Sequence, residues 1–149
     1  MLEVLKCVLR ADRLIVVNLC TASAKDLPAL SEVARTWEPW ASAQPSISAG
    51  LAASDDVLMA WGLSELLGPA KRHRLRQLDW FRETAIEHMH QTAWTIGGEP
   101  RHPSRWHQFV SDRHARTRGG TTYARLSEVL VRTDINNLLR PVRPPREPK

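Results

Sequence analysis

Apolar residues recur every third or fourth position from Leu75 to Ile96: Leu75, Leu78, Phe81, Ala85, Met89, Ala93 and Ile96. At 3.6 residues per turn they share one stripe roughly 140° wide, with Ile86 on its flank. The spacing predicts a long central helix over 71–96, entered after Gly68-Pro69 and stopped by Gly97-Gly98. Leu78 and Met89 are expected in its buried face. Arg82 falls inside the stripe, either snorkelling past the core edge or paired with an acid. Trp80 and Trp94 miss the stripe and share the opposite sector with Arg76, Glu83, Glu87 and His90.

The rest of the chain is read around this helix. Leu2 to Leu9 fits one or two helical turns. Arg13 to Cys20 is continuous and β-branched, which predicts a buried strand. No other segment reads as clearly as its partner, so it is either the tail of a helix or a strand that pairs in an oligomer. Asp26 to Trp37 is a helix, with Asp26 as cap and Pro28 in its first turn. Trp40 to Gly50 reads as a loop of small residues and Pro. Ser54 caps a further helix whose apolar residues, from Val57 to Leu67, surround it almost completely, as in a buried helix. Ser104 caps a helix through about Arg118, with Trp106, Phe109 and Val110 on its buried face. Tyr123 to Leu139 is the last helical segment. The expected fold is mainly α: one domain over 1–140, four or five helices around the long one, and a possible short N-terminal strand. The Pro-rich basic segment 141–149 is expected to be an extended, disordered tail.

Composition sharpens the picture in two places. There are six Trp against two Phe and one Tyr, and nearly all the basic residues are Arg, the side chain suited to planar recognition of phosphate and bases. The net charge of +5 is unevenly spread. Residues 1–70 are net acidic, whereas 71–118 and the last ten residues are net basic, which points to an anionic partner for the second half. The competing reading of the same charges is a solvated basic face.

Cys7 and Cys20 cannot build a disulfide framework, and the default compartment is reducing cytoplasm. Leu14 to Cys20, followed by Ala22-Ser23-Ala24, has the outline of an export leader. Its apolar part is short and interrupted by Asn18, and Glu3 and Asp12 stand where basic residues belong. No stretch reaches the roughly 20 apolar residues of a membrane span.

Three sets of residues are candidates for function. Arg101, Arg105, Arg113, Arg116 and Arg118, with Trp106, His107 and His114, form the densest basic patch, suited to phosphate contact and base stacking. Lys71, Arg72, His73, Arg74 and Arg76, after the preceding predicted helix and a Gly turn, faintly resemble the recognition helix of a helix-turn-helix, although plain αα-hairpins share that pattern. Glu83, Glu87 and His90 line up at i, i+4 and i+7, a face that reads either as a second packing layer or as a site for a divalent metal, proton transfer or a partner. A phosphate-binding Gly loop, a GxSxG elbow and an HExxH motif are all absent. No cofactor is called for. The reading is a protein that binds DNA or RNA through its Arg/His-rich second half without catalysis. The alternatives are an enzyme or metal protein using Glu83, Glu87 and His90, and an adaptor or small subunit whose Trp80/Trp94 face meets a protein partner.

Overall fold

In the computed structural model, which describes residues 1–113 and 119–138, the longest element is the helix α5 (Gly68–Glu87). Its inward residues are Ala70, Gln77, Phe81, Thr84 and Ala85. This face is rotated by roughly 85° from the apolar stripe, at 100° per residue. Gln77 and Thr84 point inwards, and Leu75 stands 53% exposed. Leu78 is only half-buried, and Met89 is 83% exposed, against the expectation that both lie in the core.

The helix is shorter than 71–96 because it stops at a left-handed residue. Met89 has φ 68, its N–H bonds the Ile86 carbonyl, and the His90 N–H bonds the Ala85 carbonyl. This six-to-one closure is normally built on glycine. Met89→Gly is therefore expected to raise stability by about 0.5–1 kcal/mol, since only a Cβ strain is relieved and no buried contact is lost. Urea unfolding measures it, and a loss of stability would show that the Met89 side chain is docked.

Beyond this turn runs the strand β1 (Thr92–Ile96), antiparallel to β2 (Leu130–Asp134), with Trp94 opposite Arg132. Ala93 and Ile96 happen to continue the helical period. Their β-branched and aromatic neighbours Thr92, Trp94 and Thr95 favour a strand. The strand expected at Arg13–Cys20 is not formed, and Ile15, Val16 and Val17 are exposed instead of buried.

The helices are shorter and more numerous than the four or five expected. Before α5 come α1 (Leu2–Leu9), α2 (Leu27–Val33), α3 (Glu38–Ala41) and α4 (Gln44–Ala52). The stretch read as a loop thus holds α4, whose Pro45 sits in the first turn, where its missing N–H costs nothing. After β1 come α6 (His107–Val110), α7 (Thr122–Val129) and α8 (Ile135–Leu138). The long helix expected from Ser104 is a 3-10 turn followed by α6, and the one expected over 123–139 is broken by β2.

Residues 57–67 are not helical. Val57 and Met59 bond the backbone of Trp94, so residues 57–59 lie alongside β1 through one isolated parallel bridge. Val57, Met59 and Trp61 enter one apolar cluster, with Ile47, Leu51, Phe81 and Ile135. Leu58 and Ala60 enter the other, with Leu5, Ile96, Trp106 and Leu126. The segment is apolar all round because it alternates, with period 2, between two cores. A third cluster joins Ala34, Trp40, Leu66 and Ala70. Because residues 57–67 are not helical, the helix-turn-helix has no first helix.

Arg74 holds this segment to α5 by donating to the Gly62 and Ser64 carbonyls at 2.6 and 2.5 Å. Burial of its guanidinium pulls the Arg74 pKa below its usual value, with Glu65 opposing the shift. Among the described residues, no helix is long and apolar enough to cross a membrane.

Candidate nucleic-acid interface

The basic stretch begins at the turn after β1. Gly97 adopts φ +64 there, and a Cβ on it would stand 2.9 Å from the Phe109 ring, so the chain can pass over that ring only with glycine. Arg101 pairs with Glu99 and lies 5.1 Å from the Phe109 ring centre, so it is partly neutralised. His102 accepts the Ser104 N–H through Nδ1 and caps the 3-10 turn Pro103–Arg105. Trp106 anchors the stretch: its ring is 2% exposed, and its indole N–H donates to the Arg101 carbonyl at 2.8 Å. That ring belongs to the core and is not presented for base stacking. Of the basic side chains, His102, Arg105, His107 and Arg113 face solvent, and so does the carboxylate of Asp112. His107 is oriented by a 2.8 Å bond between Nδ1 and the Ser104 carbonyl. His114, Arg116 and Arg118 lie outside the described residues.

Arg125, on α7, is the organising group that the sequence did not disclose. It is 4% exposed, and its Nε donates to the Val110 carbonyl at 2.8 Å. Its Nη1 donates to the Gly119 and Gly120 carbonyls at 3.1 and 2.8 Å, while Nη2 meets Asp112 at 2.5 Å. One buried guanidinium therefore ties the residues that precede the 113–118 stretch to those that follow it. It also engages Asp112, the one acid between Arg101 and Gly120. The only sequence signal was an arginine at an i−1 position to Leu126 on an otherwise ordinary amphipathic helix, and that does not single it out.

The other candidates are dispersed or already partnered. Glu83 and Glu87 are exposed, whereas His90 is buried and its Nε2 bonds the Leu51 carbonyl at 2.8 Å. The helix ends between them, so the i, i+4, i+7 line does not exist in three dimensions. His88 Nε2 stands 3.2 Å from Ser48 Oγ, so both histidines of this turn fasten α4. Among the described residues, no group of three His, Cys, Asp or Glu side chains could hold a metal ion. Trp80 packs against the first cluster, and Trp94 lies under Arg132, 4.9 Å from the guanidinium to the ring centre. Both indoles are partly buried.

At the start of α5, Lys71 pairs with Glu65 at 2.8 Å, which holds the Glu65 carboxyl below its ordinary pKa. Arg76 stacks on Trp37 at 4.0 Å, and His73 bonds the Arg35 carbonyl. A pocket of about 290 Å³ nearby is lined by residues including Ser31, Glu32 and Arg35. Its polar side chains are already paired: Arg35 with Glu32, and Ser31 with the Leu27 carbonyl and the Leu67 N–H. Burial pushes the Cys20 thiol above its ordinary pKa, which argues against a nucleophile there.

No protein-family model, curated protein or solved structure matches this chain.

Proposed function

We propose that the protein binds nucleic acid through the basic stretch 101–118 and does so without catalysis. The observation that carries the reading is the pairing of Asp112 with the buried Arg125. Arg125 offsets the charge of this solvent-exposed carboxylate, so the stretch is net positive, and it is built on a base packed by Trp106, Phe109 and Val110. Arg105 and Arg113 are exposed and have no acidic partner among the described residues. Such side chains meet phosphates at low desolvation cost and release condensed counterions. The exposed His102 and His107 flank them with groups able to donate to phosphate oxygens.

The test is binding of single- and double-stranded DNA and of RNA at several salt concentrations. Changing Arg105 and Arg113 together to Ala is expected to weaken binding to unrelated sequences about equally. It should make the slope of log K against log salt shallower by roughly two units, one per lost contact. The variant should unfold at the wild-type urea concentration, because both side chains are exposed. A folded wild type that binds none of the three polymers at low salt overturns the proposal.

A further inference from the structure

We propose that the segment Arg13–Leu19 is a strand edge through which two copies of this chain pair, antiparallel, about a two-fold axis at Val16. Among the described residues the segment has no helix or ladder partner. Among the described residues, no backbone N–H or C=O of residues 12–18 makes a hydrogen bond. Ile15 and Val17 lie beside Gly50 of α4, Leu14 packs on the second cluster and Leu19 on the first, while Val16 between them is 74% exposed. Seven residues rich in β-branched side chains, with one charge and no Pro, thus offer an open edge to solvent.

The edge is held ready. On one side the Ala11 N–H bonds the Lys6 carbonyl at 2.9 Å. On the other, the buried Gln77 amide donates to the Leu19 carbonyl and the Thr21 N–H bonds the Pro39 carbonyl. A segment pinned at both ends loses little freedom on pairing.

Strand addition is driven by main-chain bonds, and the side chains choose the partner and the register. Between two copies, the side chains choose the antiparallel sense. A parallel pairing in register would place Arg13 beside Arg13 and Asp12 beside Asp12, and like charges directly opposite are destabilising. The antiparallel register about Val16 sets Arg13 opposite Leu19 and Asp12 opposite Cys20, so no like charges face. It also sets Ile15 opposite Val17, which joins the apolar layers over the two α4 helices, and Val16 opposite its own copy. The contact is small, so the dimer is weak and forms only at high concentration.

Sedimentation of the full chain over about 10 µM to 1 mM, a range chosen for a weak dimer, should show the mass rising towards twice the monomer. Val16→Lys puts two ammonium groups face to face and should leave the protein monomeric throughout, as should Val16→Glu. An equimolar mixture of these two variants should dimerise again, because the opposite charges then meet. A wild type that stays monomeric at the highest concentration overturns the proposal. So does a Val16→Lys protein that still dimerises, or a mixture that does not. Amide exchange on the wild type is an independent check that needs no variant. Protection at 15–18 should grow with protein concentration, and protection that is absent, or independent of concentration, refutes the pairing.

Discussion

Replacing Arg125 with methionine is expected to lower the unfolding free energy by about 1–3 kcal/mol, the cost of leaving a buried carbonyl without its donor. Methionine keeps the apolar stem packed against α6 and removes only the guanidinium. Three carbonyls, those of Val110, Gly119 and Gly120, then lose their donor. Val110 is itself 1% exposed, so water does not replace the lost bond without opening the second core. Asp112 adds little to the loss, since its carboxylate is 91% exposed and simply hydrates. Arg125→Lys keeps the charge, but one ammonium cannot serve both the Val110 carbonyl and those of Gly119 and Gly120, so it should recover less than half of the loss. Urea unfolding of the three proteins decides the matter. A cost below about 1 kcal/mol would mean that the guanidinium is bathed in water and does not clamp the chain.

The second large effect is expected at Gln77. This side chain is fully buried in the face of α5 that meets α3 and the segment leading to it. Its amide nitrogen donates to the Leu19 and Trp40 carbonyls, both at 2.9 Å, and its oxygen accepts from Gln44 at 3.1 Å. Gln77→Leu conserves volume but leaves two acceptors and one donor without partners. At about 1–3 kcal/mol for each buried group left unsatisfied, and with Gln44 partly able to turn to water, the net loss should be about 2–4 kcal/mol. Thermal or urea unfolding measures it. The exposed Leu75→Ala, on the face first expected to be buried, should change stability by no more than about 0.5 kcal/mol. If the two variants exchanged these magnitudes, the helix would be packed by its apolar stripe after all. Because Gln77 also fixes Leu19, its loss should loosen the end of the Arg13–Leu19 edge.

Several features were legible in the residues alone. The mainly helical character, the Asp26 cap on α2 and the buried Trp106–Phe109–Val110 group follow from local chemistry, whereas the long helix begins at Gly68 and not after Gly68-Pro69. Caps, proline positions and short apolar spacings act within a few residues, so a sequence displays them directly. The outward basic character of Arg105 and Arg113 is legible for the same reason, since long charged side chains seldom enter a core unpaired.

The buried face of α5 was not legible, because it is chosen by what lies across from it. The carbonyls of Leu19 and Trp40 need a donor, and this draws Gln77 inwards and turns the apolar Leu75 towards water. The strand at 92–96 took its identity from β2 and from Val57–Met59, partners about 30 to 40 residues distant in the chain. Pairing with Trp94 keeps Val57–Met59 out of a helix, and the side chains of 57–61 alternate between two cores. Arg125 became a structural centre only because folding brings Val110, Asp112 and Gly119 to one guanidinium. The sequence by itself determined where helices can begin, which residues must be buried or hydrated in bulk, and where positive charge gathers. Tertiary structure decided which face of α5 turns inwards, which extended segments find partners, and which buried polar groups hold loops in place. Those outcomes depend on satisfying hydrogen-bonding groups from distant parts of the chain, and no local pattern encodes that requirement.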